Sequence, residues 1–143
     1  MTTVAQVLQE KVSIETSTIS PTATVLEAIT LMGNKGIGAV IVTNADKVVG
    51  ILSERDYTRK MSLMQRTSDK TNVSEIMTSQ VLSVTRTHTV DECLALMTDK
   101  HIRHLPVIEN DSLVGIVSIG DLVKATMEDQ RKLIDQLQQY ISG

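Results

Sequence analysis

The sequence predicts a mixed α/β fold: two pseudo-symmetric β-α-β-β-α units packed through their sheets, followed by a C-terminal helix. Three observations carry that prediction. The stretch GILSERD at 50–56 returns as GIVSIGD at 115–121. Sliding the chain by 65 residues sets 18–60 on 83–125 with no gap, and identical pairs recur along its whole length: Thr24/Thr89, Val25/Val90, Glu27/Glu92, Met32/Met97, Ile37/Ile102, Asp46/Asp111, Gly50/Gly115, Ser53/Ser118 and Asp56/Asp121. Within each copy the apolar spacing switches between a helical stripe and short continuous runs, as strands and helices in alternation require.

Each element follows in order. STIS (17–20) and VLSV (81–84) read as short strands with β-branched residues. Thr24 and Thr89 are placed to cap a helix, with Glu27 and Glu92 three residues on to complete a capping box. Val25, Ala28, Ile29 and Met32, and likewise Val90, Cys93, Leu94 and Met97, fall at i, i+3, i+4 and i+7, the apolar stripe of an amphipathic helix. GNKGIG at 33–38 lacks the spacing of a phosphate loop and reads as a helix stop before a strand. AVIVT and LPVIE are buried strands. NADK and ENDS are turns. VVGILS and LVGIVS are the return strands, after which ERDYTRKMSLM and IGDLVKATMEDQ resume helical spacing. SLMQRTSDKT (62–71) is a polar connection, NVSEIMT (72–78) loosely echoes TVAQVLQ (3–9), and the first half holds extra residues around 11–15. RKLIDQLQQYISG adds a further amphipathic helix, with Leu133, Ile134, Leu137, Tyr140 and Ile141 on one face. That helix either folds back on its own domain or covers a second copy. The expected organisation is a first unit at 1–66, a linker at 67–71, a second unit at 72–128 and the C-terminal helix at 129–143.

The composition bounds the function. Of 143 residues, 41% are hydrophobic and 22% charged, and the formal net charge is −3. No basic run supports nucleic-acid binding. With no Trp, no Phe and only two Tyr, the chain cannot build the aromatic platforms that hold single strands. No apolar run approaches the roughly 20 residues of a membrane span, and the N-terminus carries no secretion signal. One cysteine, Cys93, forms no internal disulfide. A reducing cytoplasm is the expectation.

The repeated strand–helix–strand–strand–helix unit, each copy ending in GIxSxxD, resembles a tandem pair of CBS domains, the cystathionine beta-synthase domain family. IRHLPVI in the second copy is similar to a stretch common there, and the likeness runs from about residue 4 to about 127. The resemblance implies a regulatory, non-enzymatic module that binds adenosyl ligands (AMP, ADP, ATP, NAD or S-adenosylmethionine) in clefts between the units. It requires no metal. It also implies a homodimer of CBS pairs in a flat disc and an effector protein not yet known. On this resemblance Asp56 and Asp121 take the ribose hydroxyls, and Ser53 and Ser118 lie near phosphate. Thr18, Ile19, Ser83 and Val84 match the first-strand wall. Ile37, Gly38, Ala39, Ile102, Arg103 and His104, with Leu105 and Pro106 following, match the helix-to-strand junction.

Elementary chemistry agrees. A carboxylate accepts from both ribose hydroxyls at once, and a Ser opening a helix adds a hydroxyl where backbone N–H groups favour an anion. Arg55, Arg103 and His104 offer positive charge for phosphates. The copies differ, Arg103-His104 standing opposite Gly38-Ala39, so two inequivalent clefts are expected. Plainer roles stand beside these. The aspartates serve a helix dipole, the serines serve as N-caps, Cys93 is a small core residue, and His101 and His104 lack further metal-ligand residues nearby. A constitutive assembly module with vestigial pockets is the alternative function. A nucleotide hydrolase finds no catalytic constellation in its favour.

Overall fold

In the first repeat a helix stop leads straight into a strand, and the computed structural model shows why. The structure describes residues 1–11 and 16–142. Helix α2 (Val25–Lys35) ends at Gly36, which takes φ 64°, and β2 (Ala39–Asn44) begins three residues later. A left-handed C-cap is where glycine has no steric cost. In the second copy α5 (Val90–Lys100) ends at His101, which takes φ 57° in the same position, and β4 (His104–Glu109) follows.

The remaining elements are α1 (Val4–Glu10), β1 (Thr18–Ile19), β3 (Lys47–Ser53), α3 (Glu54–Met64), a 3₁₀ turn at Ser68–Lys70, α4 (Val73–Ile76), β5 (Ser112–Ser118) and α6 (Ile119–Ser142). The capping boxes expected at Thr24/Glu27 and Thr89/Glu92 are both formed, a third opens α1 at Thr3/Gln6, and at the start of α4 Asn72 N–H donates to Glu75 Oε2 at 2.7 Å. That gives the weak echo of 3–9 in 72–78 a physical content: both segments are capped helices. Of the extra stretch around 11–15, only Lys11 lies among the described residues.

Strand order is β1-β2-β3, with β1 parallel and β3 antiparallel to β2; β4 and β5 form a two-stranded sheet. Both hairpins turn through two left-handed residues, Ala45 (φ 51°) and Asp46 (φ 65°) in one, Asn110 (φ 50°) and Asp111 (φ 63°) in the other. Two such residues match the turn to the twist of the flanking strands.

The first strand expected in the second copy, at 81–84, does not form. It is reduced to one parallel bridge, Val84 with Val107. Pro106 gives the reason. It stands where the first copy has Ile41, whose N–H donates to Ser17 O at 3.2 Å. Proline has no N–H to offer the counterpart carbonyl, so pairing begins only at Val84, which donates to Pro106 O at 3.0 Å.

The sequence repeats and the compact units are different partitions of the chain. One unit gathers 1–11 with 83–109 and 115–142; the other gathers 16–82 with the hairpin tip at 110–114. Two helices expected with one repeat pack in the compact unit of the other. Helix α1 joins the second repeat, where Thr3 bridges Thr89 and Val4 N–H donates to His88 O at 2.8 Å. Helix α4 joins the first, where Val73 N–H donates to Ala23 O and Val25 N–H to Thr71 O, both at 2.8 Å. In the unit holding the first repeat, Val25, Ala28, Met32, Val40, Val42, Leu52, Met61, Val73 and Ile76 form one buried cluster. In the other, Val4, Val7, Val90, Cys93, Met97, Leu105, Val107, Val117 and Leu122 are buried. Cys93 is thus a core residue, and burial, with Glu92 beside it, pushes its thiol up to about 11.

The C-terminal helix is not a separate element. The segments at 119–128 and 129–142 form one continuous helix of 24 residues. Its first turns carry the buried Leu122, and every residue from 129 to 142 is exposed.

Candidate functional site

Both copies of GIxSxxD end in the same local construction. In the first, Ser53 caps α3: Asp56 N–H donates to Ser53 Oγ at 3.1 Å, and Ser53 N–H returns to Asp56 Oδ2 at 3.0 Å. In the second, Asp121 N–H donates to Ser118 Oγ at 3.1 Å, and Ser118 N–H to Asp121 Oδ2 at 2.9 Å. The spacing Ser-x-x-Asp is that of a capping box, and each satisfies two backbone donors at a helix start. The serines are therefore N-caps, and the aspartates are fixed in place by the backbone they cap.

The helix-to-strand junction lies against each cap. Glu54 N–H donates to Gly38 O at 3.0 Å, and Ile119 N–H donates to Arg103 O at 2.9 Å. Ala39 is paired with Ser53 across β2 and β3. Thr18 and Ile19 lie beside Ile41 and Val42 on the same sheet. Thus the first copy gathers Thr18, Ile19, Gly38, Ala39, Ser53 and Asp56 on one small sheet and the helix that leaves it. Ile37 packs on the buried cluster, and Arg55 sits in the first turn of α3. In the second copy Val84, Arg103, His104, Ser118 and Asp121 hold the same relative places. Ser83 and Arg103 are exposed, Ile102 and His104 half-buried, and Leu105 and Pro106 buried in β4.

Three residues absent from the sequence candidates complete the sites. Thr78 Oγ1 donates to Asp56 Oδ1 at 3.2 Å. Lys60 Nζ stands 3.7 Å from the same oxygen and donates to Ile76 O at 2.8 Å. In the second copy Lys11 Nζ lies 3.1 Å from Asp121 Oδ2 and donates to Ile116 O at 2.8 Å. Lys60 was findable, since it follows Asp56 by one helical turn. Thr78 and Lys11 were not, because the segments that carry them come from the far side of the chain.

Burial alone would raise the Asp121 carboxyl; the Ser118 N–H and the Lys11 ammonium outweigh it and hold the group below the ordinary aspartate range. An anionic acceptor with a fixed orientation is the result. A carboxylate has roughly four lone-pair sites, so each aspartate can take a ribose hydroxyl while keeping its cap, sharing it with Thr78 and Lys60 or with Lys11. A cleft opens beside Asp121, lined by Val7, Glu10, Lys11, Lys124, Ala125 and Glu128. Its lining carries two lysines and two glutamates beside the aspartate. Among the described residues no cluster of three or more His, Cys, Asp or Glu could hold a metal ion. No helix of the described residues is long and apolar enough to cross a membrane.

Comparison with known proteins agrees with the repeat. The CBS domain family model matches residues 4–63 and 73–128. A CBS-domain protein of solved structure from Burkholderia ambifaria is 47% identical, with TM-score 0.87, over 90% of this chain and 96% of that one. The mitochondrial CBS domain-containing protein CBSX3 of Arabidopsis thaliana is 38% identical over 84% of this chain; the chain spans 61% of that relative's length. The CBS domain pair of protein MJ0100, solved in complex with 5′-methylthioadenosine and S-adenosyl-L-methionine, shares the fold at 23% identity and TM-score 0.76, over 87% of this chain and 99% of that one.

Proposed function

This chain belongs to the CBS-domain family, and on that premise we propose that it is a regulatory module that binds an adenosyl ligand at its motif aspartates. The ligand class is AMP, ADP, ATP, NAD or S-adenosylmethionine. The chain performs no catalysis of its own; it changes how a homodimer of CBS pairs presents itself to an effector protein in the cytoplasm. The observation that carries this reading is the duplicated cap. Asp56 and Asp121 are each oriented by a serine and a backbone N–H, beside a helix start and a helix-to-strand junction, where a ribose and its phosphate would find acceptor and donors together. The fold neighbour solved with adenosyl compounds supports the class. A bound ligand shifts the module only through its different affinities for two states.

A thermal-shift panel of the five ligands, read with an external dye because the chain has no Trp, tests it. A ligand at about 100 times its Kd adds roughly 2.7 kcal/mol, and each kcal/mol moves the midpoint of a chain this size by roughly 2–4 °C. A shift of several degrees with one ligand, lost in Asp56→Ala or Asp121→Ala, is the expected result. Asp→Asn variants keep the side-chain size and part of the cap, and separate ligand loss from cap loss. Silence across the panel in folded, nucleotide-free protein overturns the reading. One observation favours the second reading, an assembly module with vestigial pockets: Lys11 already occupies Asp121. That reading expects no shift for any ligand, in the wild type or with Lys11→Ala.

A further inference from the structure

Helix α6 carries a seam that stays exposed among the described residues. Gly120, Val123, Met127, Gln130, Ile134, Leu137 and Ile141 follow one another at spacings of three and four, the a and d positions of three consecutive heptads. All seven are exposed in the single chain; Met127 is 64% exposed, Ile134 54%, Leu137 52% and Ile141 83%. Leu122, the one fully buried residue of the helix, lies off this seam. At 1.5 Å per residue the seam is about 32 Å long. A straight stripe of this period is buried by another helix with the same period, and a second copy of this chain supplies one.

We propose that two copies pair through residues 120–141 of α6 as a parallel, in-register, two-stranded coiled coil. The a layers hold Met127, Ile134 and Ile141, and the d layers hold Val123, Gln130 and Leu137. In the C-terminal half of the seam, Ile134 and Ile141 at a with Leu137 at d favour two strands. Gln130 sets the direction. In the parallel register it faces Gln130 of the other copy, and the two amides satisfy each other as donor and acceptor. An antiparallel register that uses the whole seam puts it against Met127 or Ile134, a buried polar group with no partner. The flanks agree. Lys124 and Arg131 occupy e positions, and the g positions hold Ile119, Thr126, Leu133 and Tyr140, all uncharged. Parallel pairing lays the e side chains over uncharged g residues, whereas antiparallel pairing brings Arg131 beside Arg131 or Lys124 of the other copy. Within its own helix Arg131 is already paired with Glu128 at 2.5 Å and Asp135 at 3.6 Å. The homodimer of the proposed function gains a specific seam here. The seam rests on α6 and not on ligand binding, so a protein silent in the ligand panel that still dimerises through α6 leaves this inference intact.

The test is mass in solution by light scattering or sedimentation equilibrium on the full chain. The wild type is expected as a dimer at micromolar concentration. Ile134→Asp with Leu137→Asp is expected to raise the dimer dissociation constant by at least 100-fold. The double change leaves the thermal midpoint of the body where dilution of the wild type to monomer leaves it. Orientation is read by disulfide trapping in a Cys93→Ala background. Leu137→Cys is expected to cross-link to itself, and an equimolar mixture of Val123→Cys and Ile141→Cys is expected to yield no mixed species. A monomeric wild type, a dimer indifferent to the double aspartate change, or trapping of the mixed pair in place of the self-pair each overturns the proposal.

Discussion

Gly50 and Gly115 open the two GIxSxxD stretches, and the structure assigns them unequal tolerance to a methyl group. A Cβ built on Gly50 falls 2.5 Å from Met77 Sδ and 3.1 Å from the carbonyl oxygen of Thr78. That carbonyl cannot retreat freely. It accepts from Ile51 N–H at 3.0 Å, while Thr78 N–H donates back to Ile51 O at 2.9 Å. A Cβ on Gly115 falls 2.9 Å from Leu8 Cδ2 and meets only the far end of that side chain. Neither glycine is among the residues of positive φ, so alanine should gain about 0.4–1 kcal/mol by restricting the unfolded chain. Overpacking costs about 1–3 kcal/mol. For Gly50→Ala the second effect should win, with a net loss of about 1–2 kcal/mol, or roughly 2–8 °C at the midpoint. For Gly115→Ala the two should come within about 1 kcal/mol of cancelling. Urea unfolding with unchanged m reads both values. In a Met77→Ala background, Gly50→Ala should cost less, because the thioether no longer stands in the way. A Gly50→Ala protein as stable as wild type, or a larger loss for Gly115→Ala, would refute the reasoning.

The other predictions are smaller in scope. Ala45 sits at φ 51° where the second hairpin has Asn110; Ala45→Asn should stabilise by about 0.5–1 kcal/mol and Asn110→Ala should lose a similar amount, both read by thermal melts. Asp121 has its carboxyl held below the ordinary range, so its contribution is present above the unfolded pKa of about 3.9 and is lost as pH falls through the lower folded value. Stability against pH should therefore fall less steeply on the acid side in Asp121→Asn than in the wild type. The Cys93 thiol, buried and pushed up to about 11, should resist alkylation at pH 8 in the folded protein and react fully in denaturant. Thr126 Oγ1 is buried on α6 without a hydrogen-bond partner, so Thr126→Val should stabilise by about 1 kcal/mol in equilibrium unfolding.

What the sequence discloses here is what is local. Thr24 with Glu27 and Thr89 with Glu92 are read as caps because both partners lie within one turn, and the structure forms both. Gly36 as a helix stop is local in the same sense. Ser53 and Ser118 as N-caps are legible in the same way, and Asp56 and Asp121 three residues on close those caps. The strand expected at 81–84 fails for a local cause of a subtler kind. Pro106 stands in a segment that otherwise reads as a strand, and its missing N–H acts on a neighbour that sequence order does not show. That the last helix runs unbroken past 128 is legible in the absence of any Gly or Pro between Gly120 and residue 143. The partners of the motif aspartates could not be read at all. Thr78 and Lys11 reach them only because α4 and α1 are traded between repeats, and no periodicity records a trade.

That trade of leading helices has a consequence for the birth of the chain on the ribosome. Residues 2–4 are made well before residues 88–90, so Thr2 O and Val4 N–H wait for Val90 and His88 before they find their partners. The unit built on the first repeat has its closing helix, α4, as soon as residue 82 clears the exit tunnel, apart from the hairpin tip that joins it later. Helix α1, with Val4 wholly buried and Val7 nearly so in the finished protein, stays without a home through all that time. Seven residues make too short a helix to hold together in water. Synthesis at about 5–20 residues per second leaves that segment several seconds as an unpaired apolar stretch, open to a chaperone that favours short apolar segments.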